Sequence, residues 1–177
     1  MELVYIILLV YMDSVITKLF LAHSTKKLRQ MCGHIESCLE RLTDDQIWSR
    51  GAAHENSAGN LVLHLCGNAR QWIDAGIGGE KDTRDRDGEF SMRGGLTGGE
   101  LVSHLKQTVD RAVAVIEGVT AERLIEEINP QTGPVSVLEA IYQVVGHFQQ
   151  HTGQIIFATK ILAGEDLGFY RPQALSK

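Results

Sequence analysis

The sequence predicts an all-α protein, a four-helix bundle with one long charged loop between its second and third helices. Three observations carry this reading. Ser or Thr followed three residues later by Glu or Gln recurs with apolar residues on both flanks, the reciprocal capping pattern that opens a helix; the pairs are Thr43 with Gln46, Thr97 with Glu100 and Ser136 with Glu139. Apolar residues then repeat at three- and four-residue spacing. The chain also holds only three prolines and few long runs of β-branched residues, so strand competes weakly with helix.

Residues 3–41 form the first predicted helix, with an irregularity near Gly33, and "TDDQIWS" supplies a short helical turn after it. The second helix follows the loop "RGAAHENSAG" and carries "NLVLHLCGNARQWIDA", in which Leu61, Leu65 and Trp72 share a face. Leu101, Leu105, Val109, Ala112 and Ile116 mark the third, and Leu138, Ile141, Val145, Phe148, Ile155 and Leu162 the fourth. Each cap contributes about 1 kcal/mol to its helix. A weak internal repeat supports the pairing of helices, because "RLTDDQIWS" after the first resembles "GVTAERLIE" after the third. "LIEEINPQTGPV" reads as a short extended connector at most. The stretch "GIGGEKDTRDRDGEFSMRGG" is the exception to short connections, and a loop of that length in a compact domain is expected to cover something.

A length of 177 residues suits a single domain spanning 1–177. Hydrophobic residues make up 44% and charged residues 22%, as in a globular protein, and the net charge of -5 repels polyphosphate and argues against nucleic acid. Cys32, Cys38 and Cys66 form an odd set without CxxC spacing, which disfavours a disulfide scaffold and points to a reducing cytoplasm. "MELVYIILLVYM" offers about ten apolar residues before Asp13, against roughly 20 for a membrane span, so no membrane partner is expected. Met12 is a natural start, and residues 1–11 read alternatively as an upstream extension of the first helix. An exposed apolar end there favours pairing with a second copy, a homodimer.

"GHFQQHTGQI" raises the functional question. His147 and His151 are four residues apart, about one helical turn, so both rings leave one face. His64 lies in the apolar stripe of the second helix between Leu61 and Leu65. Three inward imidazoles from two helices can hold one ion and leave positions open, the catalytic rather than the structural pattern. The spacing alone also allows three core histidines hydrogen-bonded to backbone or to one another. The pair lacks the Glu of an HExxH metalloprotease, since Phe148 stands there, and a di-iron bundle would need inward Glu-x-x-His pairs. A mononuclear site remains. His104 is a conceivable extra ligand; His23, His34 and His54 read as surface or packing residues, and Cys66, two residues from His64, falls on another face.

"HFQQHTGQIIFATKILAGED", "NSAGNLVLHLCGNARQWI" and "DTRDRDGEF" together resemble the DinB superfamily of bacterial four-helix-bundle proteins, specifically its DUF1572-type branch. The likeness runs from about Leu39 to Gly168; Gly88, where many relatives carry a larger residue, departs from it. The resemblance implies that His64, His147 and His151 bind a divalent metal, zinc or nickel, and that the protein acts on a small molecule as a thiol-dependent S-transferase or a metal-dependent hydrolase. A stress-associated bundle that binds metal or ligand without catalysis is the rival. Asn60 and Asn68, one turn either side of His64, are cavity-lining candidates, although Asn60 also suits a helix cap. Gln154, three residues after His151, is a candidate for orienting a ligand. Arg84, Arg86 and Glu89 are family features by resemblance and solvated charges by composition; Arg86 and Glu89 join the cavity candidates. No general base stands out on the histidine-bearing helices, which favours transfer from a low-molecular-weight thiol over hydrolysis.

Overall fold

Helix α1 (Glu2–Leu39) is the longest element, and it packs against α5 (Gly98–Glu117) on one side and α7 (Val137–Ala163) on the other. Helix α3 (Ala58–Ala69) closes the ring by contacting the same two helices, which places α1 diagonally opposite α3 in a four-helix bundle. This is a computed structural model, which describes residues 2–131 and 133–169, with side chains from residue 14 onward. The alternative reading of residues 1–11 as an extension falls outside the described side chains. No helix among the described residues is long and apolar enough to cross a membrane.

The predicted caps open their helices. Thr43, Thr97 and Ser136 each accept from the backbone N–H three residues on, while Gln46, Glu100 and Glu139 reach back to the cap. Two short helices, α2 (Asp44–Trp48) and α6 (Ala121–Leu124), occupy the repeated segments, each behind a capping threonine, Thr43 or Thr120. Gly164 ends α7 at φ 70°, a left-handed conformation that glycine adopts without a Cβ penalty. Leu28, Ile35, Leu65, Leu105, Ile141 and Phe148 are almost wholly buried at the centre of one hydrophobic cluster.

Four features differ from the sequence expectation. Helix α1 passes through Gly33 without interruption, because a single glycine weakens a helix by about 1 kcal/mol and neighbouring contacts offset that. Helix α3 continues into a π-helical segment, Arg70–Ala75, in which the Gly76 N–H donates to the Gln71 carbonyl and Gly78 N–H to that of Ile73. The connector before α7 forms a two-residue antiparallel pair, β1 (Glu127–Ile128) with β2 (Val135–Ser136). The long loop contains a helix of its own, α4 (Arg86–Ser91), packed on α3.

A candidate metal centre

His64 is presented by α3, and His147 and His151 by successive turns of α7. One ring nitrogen from each lies within 4.8 Å of the others, and the Nε2 atoms of His64 and His147 are 2.9 Å apart. The ring centroids are 4.8 Å (His64 to His147), 5.1 Å (His64 to His151) and 4.4 Å (His147 to His151) apart. All three meet near edge-to-face. Zinc–imidazole bonds of about 2.0–2.1 Å in a tetrahedron put ligand nitrogens roughly 3.3 Å apart. The observed spread brackets that value, and His64 is buried while His147 and His151 are partly open.

Hydrogen bonds fix which nitrogens face inward. Glu89 Oε2 lies 2.9 Å from His64 Nδ1, and a carboxylate only accepts, so with the proton on Nδ1 the ring turns its Nε2 lone pair inward; Arg84 Nη2, 3.0 Å from the same Nδ1, then gives its hydrogen to Glu89 Oε2 at 2.9 Å. His151 Nδ1 donates in the same way to Gln154 Oε1 at 2.6 Å, which frees its Nε2. Such acceptors behind ligand histidines set tautomer and ring orientation in metal sites. The donor set therefore fits a divalent metal ion held by three imidazole nitrogens.

Glu89 is held on both sides. Arg84 Nε donates to Oε1 at 2.8 Å and its Nη2 to Oε2 at 2.9 Å, a two-pronged pair in which both side chains are buried. Burial raises the Glu89 pKa, but the hydrogen bonds from His64 and Arg84 outweigh it and hold the carboxyl below its usual range. Arg84 also donates to Gln71 Oε1. The loop carrying both residues is clamped to α3 through Asn60, whose Nδ2 donates to the carbonyls of Glu89 and Met92. Arg50 Nη2 donates to the Phe90 carbonyl, so the C-terminal carbonyls of α4 find partners outside the helix. Phe90 then sits against His64 at 4.6 Å between centroids.

Among the candidate residues, His64, His147, His151, Glu89 and Gln154 come together. Asn60 completes a capping box with Ser57 and pins the loop, so it is a clamp rather than a cavity wall. Asn68 is buried one turn beyond His64, with a side-chain oxygen that has no hydrogen bond among the described residues. Arg86 is exposed and lies over the Phe90 ring, because on α4 it shares a face with Phe90 four residues later. His104 lies apart from the three histidines, on α5. His23 and His54 are exposed, and His34 stacks on Phe169. Cys66 is fully buried, burial pushes its thiol up to about 12, and it lies outside the group formed by the three histidines.

Burial lowers the His147 pKa to about 4, helped by the charges of His151 and His64, and burial likewise lowers that of His151. Both rings are neutral around pH 7, the form that binds metal. Arg84 and Ser57 are the functional residues with the weakest signal in the sequence. Arg84 lies in a run of charges, and Ser57 pairs with Asn rather than Glu or Gln.

The chain shares this fold with several solved structures. A conserved protein of Enterococcus faecalis superposes with a TM-score of 0.70 at 16% identity, covering 81% of this chain and 97% of that one. A DinB-like protein of Bacillus subtilis gives 0.64 at 18% identity, covering 85% and 99%. A mutant of the mycothiol-dependent maleylpyruvate isomerase gives 0.61 at 14%, covering 76% of this chain and 60% of the isomerase. No protein of curated function matches the sequence. The family described as "Protein of unknown function (DUF1572)" matches residues 15–170, and the chain belongs to that family, with the fold of DinB-like proteins.

Proposed function

We propose that this protein is a mononuclear divalent-metal-dependent enzyme, a thiol-dependent S-transferase acting on a small electrophile. The observation that carries the reading is the convergence of His64, His147 and His151, two of them with their outer nitrogens already bonded to Glu89 and Gln154. A zinc or nickel ion held there supplies Lewis acidity, lowering the pKa of a low-molecular-weight thiol. Glu89 does not serve as a free base, since its oxygens are taken by His64 and Arg84. With no free base beside the ion, the nucleophile would lose its proton to solvent under the influence of the metal alone, which a thiol, more acidic than water, does more readily; that favours transfer over hydrolysis. Phe90 covers one side of His64 and limits water there. Asn68 Oδ1 offers an unsatisfied acceptor for a substrate donor. The likeness in fold to a mycothiol-dependent isomerase is consistent with thiol chemistry on this scaffold.

A homodimer and a cytoplasmic setting belong to the same reading. The outer face of α7 exposes Tyr142, Phe157 and Ile161, apolar surface that a second copy would cover, and sedimentation of the purified chain tests this. Three free, buried cysteines suit a reducing compartment.

The enzyme reading is tested by loading the protein with zinc or nickel and following conjugation of an electrophilic aryl halide to a panel of small thiols. Turnover that disappears in His151→Ala supports it. Metal binding with no turnover for any thiol leaves a binding protein instead.

A further inference from the structure

We propose that the cavity behind the histidine cluster, on the far side of Arg84 and Glu89, binds a small zwitterion, its ammonium group docked on Asp74 and its anionic end facing Arg70 and Lys81. The cavity, about 780 Å³, lies between α3, α5 and the loop that leads into α4. That size suits a small-molecule ligand. None of His64, His147 and His151 lines it, although Gly67, Arg84 and Glu89, which support His64, form one end, so the ammonium site on Asp74 is tested with no metal present.

Asp74 is the anomaly that motivates the assignment. Its side chain is only 4% exposed, yet neither carboxylate oxygen accepts a hydrogen bond among the described residues. The nearest cation, Arg111 Nε, stands 3.5 Å from Oδ2, while Arg111 Nη2 is committed to both oxygens of Glu80 at 2.8 and 2.6 Å. A buried carboxylate left with acceptors unfilled costs stability, so native structures keep such a group where water, an ion or a ligand fills it or where it has a chemical role. The π-helical segment Arg70–Ala75 carries Asp74; its wide turns rotate the side chains away from the positions an α-helix would give them, a device frequent at binding sites.

The rest of the lining selects the ligand. A second acceptor is of no use to Asp74, which excludes a simple anion beside it. A divalent cation would meet the charge of Arg111, and the other carboxylates of the lining, Glu80, Asp82, Asp85 and Glu89, already accept hydrogen bonds from Arg111, Gln71, the Gly88 N–H and Arg84. A primary ammonium group brings up to three donors and one charge, matching two empty carboxylate oxygens. In the same lining, the Arg70 side chain has a single hydrogen bond, to Thr83, and the Lys81 side chain has none among the described residues. Those two cations are available to a carboxylate or similar anion at the other end of the ligand.

Titration of the isotope-labelled full chain with three probes of matched size, L-alanine, ethylamine and propionate, followed by NMR, tests the assignment. L-alanine is expected to shift the amide signals of Asp74, Lys81 and Thr83 saturably, with ethylamine about tenfold weaker and propionate not saturating. Asp74→Asn should weaken alanine by at least about tenfold, or 1.4 kcal/mol, without lowering Tm. Lys81→Met, on the exposed rim, should weaken alanine and leave ethylamine unchanged, which keeps the test open should the Asp74 variant not fold. Absence of saturable alanine binding, propionate equal to alanine, or a Tm loss in a folded Asp74→Asn with alanine affinity intact would each overturn the proposal.

Discussion

Gly67 of α3 and Glu89 of α4 approach so closely that a Cβ on Gly67 would lie 1.8 Å from Glu89 Oε1. The absent side chain is what lets the carboxylate reach His64. Gly67→Ala therefore pushes Glu89 away while raising intrinsic helix propensity by about 1 kcal/mol. Loss of a partner behind a ligand histidine lowers metal affinity about 10- to 100-fold. Competition with a chromophoric chelator should show that fall in the alanine variant, and an unchanged affinity would count against the role given to Glu89.

Arg84→Met strands a buried carboxylate that only His64 then supports. Removing one partner of a buried pair destabilises by about 3–5 kcal/mol, whereas replacing both by apolar groups is often near neutral. Arg84→Met should lower Tm sharply in thermal denaturation. Adding Glu89→Leu should restore most of the Tm but leave metal affinity low. A double variant that regains affinity would show that the ion does not depend on this pair.

Asn60 joins the start of α3 to the carbonyls of Glu89 and Met92. Asn60→Ala leaves the Glu89 carbonyl without its side-chain partner, at about 1–3 kcal/mol, while the Met92 carbonyl keeps Arg93 and Arg50. Hydrogen exchange should quicken in residues 86–92 while the amides of α7 stay protected. Equal acceleration in both would mean global loosening instead of a released loop.

The metal-free protein should lose stability as pH falls. Burial holds His147 near pKa 4 in the folded chain, while an unfolded histidine titrates near 6.5. Between those values the unfolded state binds more protons, so stability is full above about 6.5 and declines towards about 4. His151, also lowered, acts in the same direction. Melting of chelator-treated protein across that window should show Tm falling with acid, with a shallower slope in His147→Gln. A flat profile would mean that the rings are more solvated than their burial implies.

The histidine cluster is legible in the sequence because helical periodicity alone puts His147 and His151 on one face, and because His64 interrupts an apolar stripe. Bundle architecture is legible from the capping pairs for the same reason, as both signals are local. Glu89 and Arg84 look like solvated charges in the sequence because their burial depends on Gly67 and His64, which lie on a different helix. Arg86 carries the same charge as Arg84 two residues later, and only the start of α4 at that point turns it outward. The π-helical segment has no side-chain signature; it is defined by backbone bonds such as Gly76 to Gln71. The Ser57 cap is hidden because Asn60 takes the position usually held by Glu or Gln.

Equilibrium dialysis of the apoprotein against zinc and nickel, with elemental analysis of the retained ion, tests the centre most directly. The account predicts one ion per chain, lost in His147→Ala. Failure of the wild-type chain to retain either ion, or retention undiminished in that variant, would contradict it.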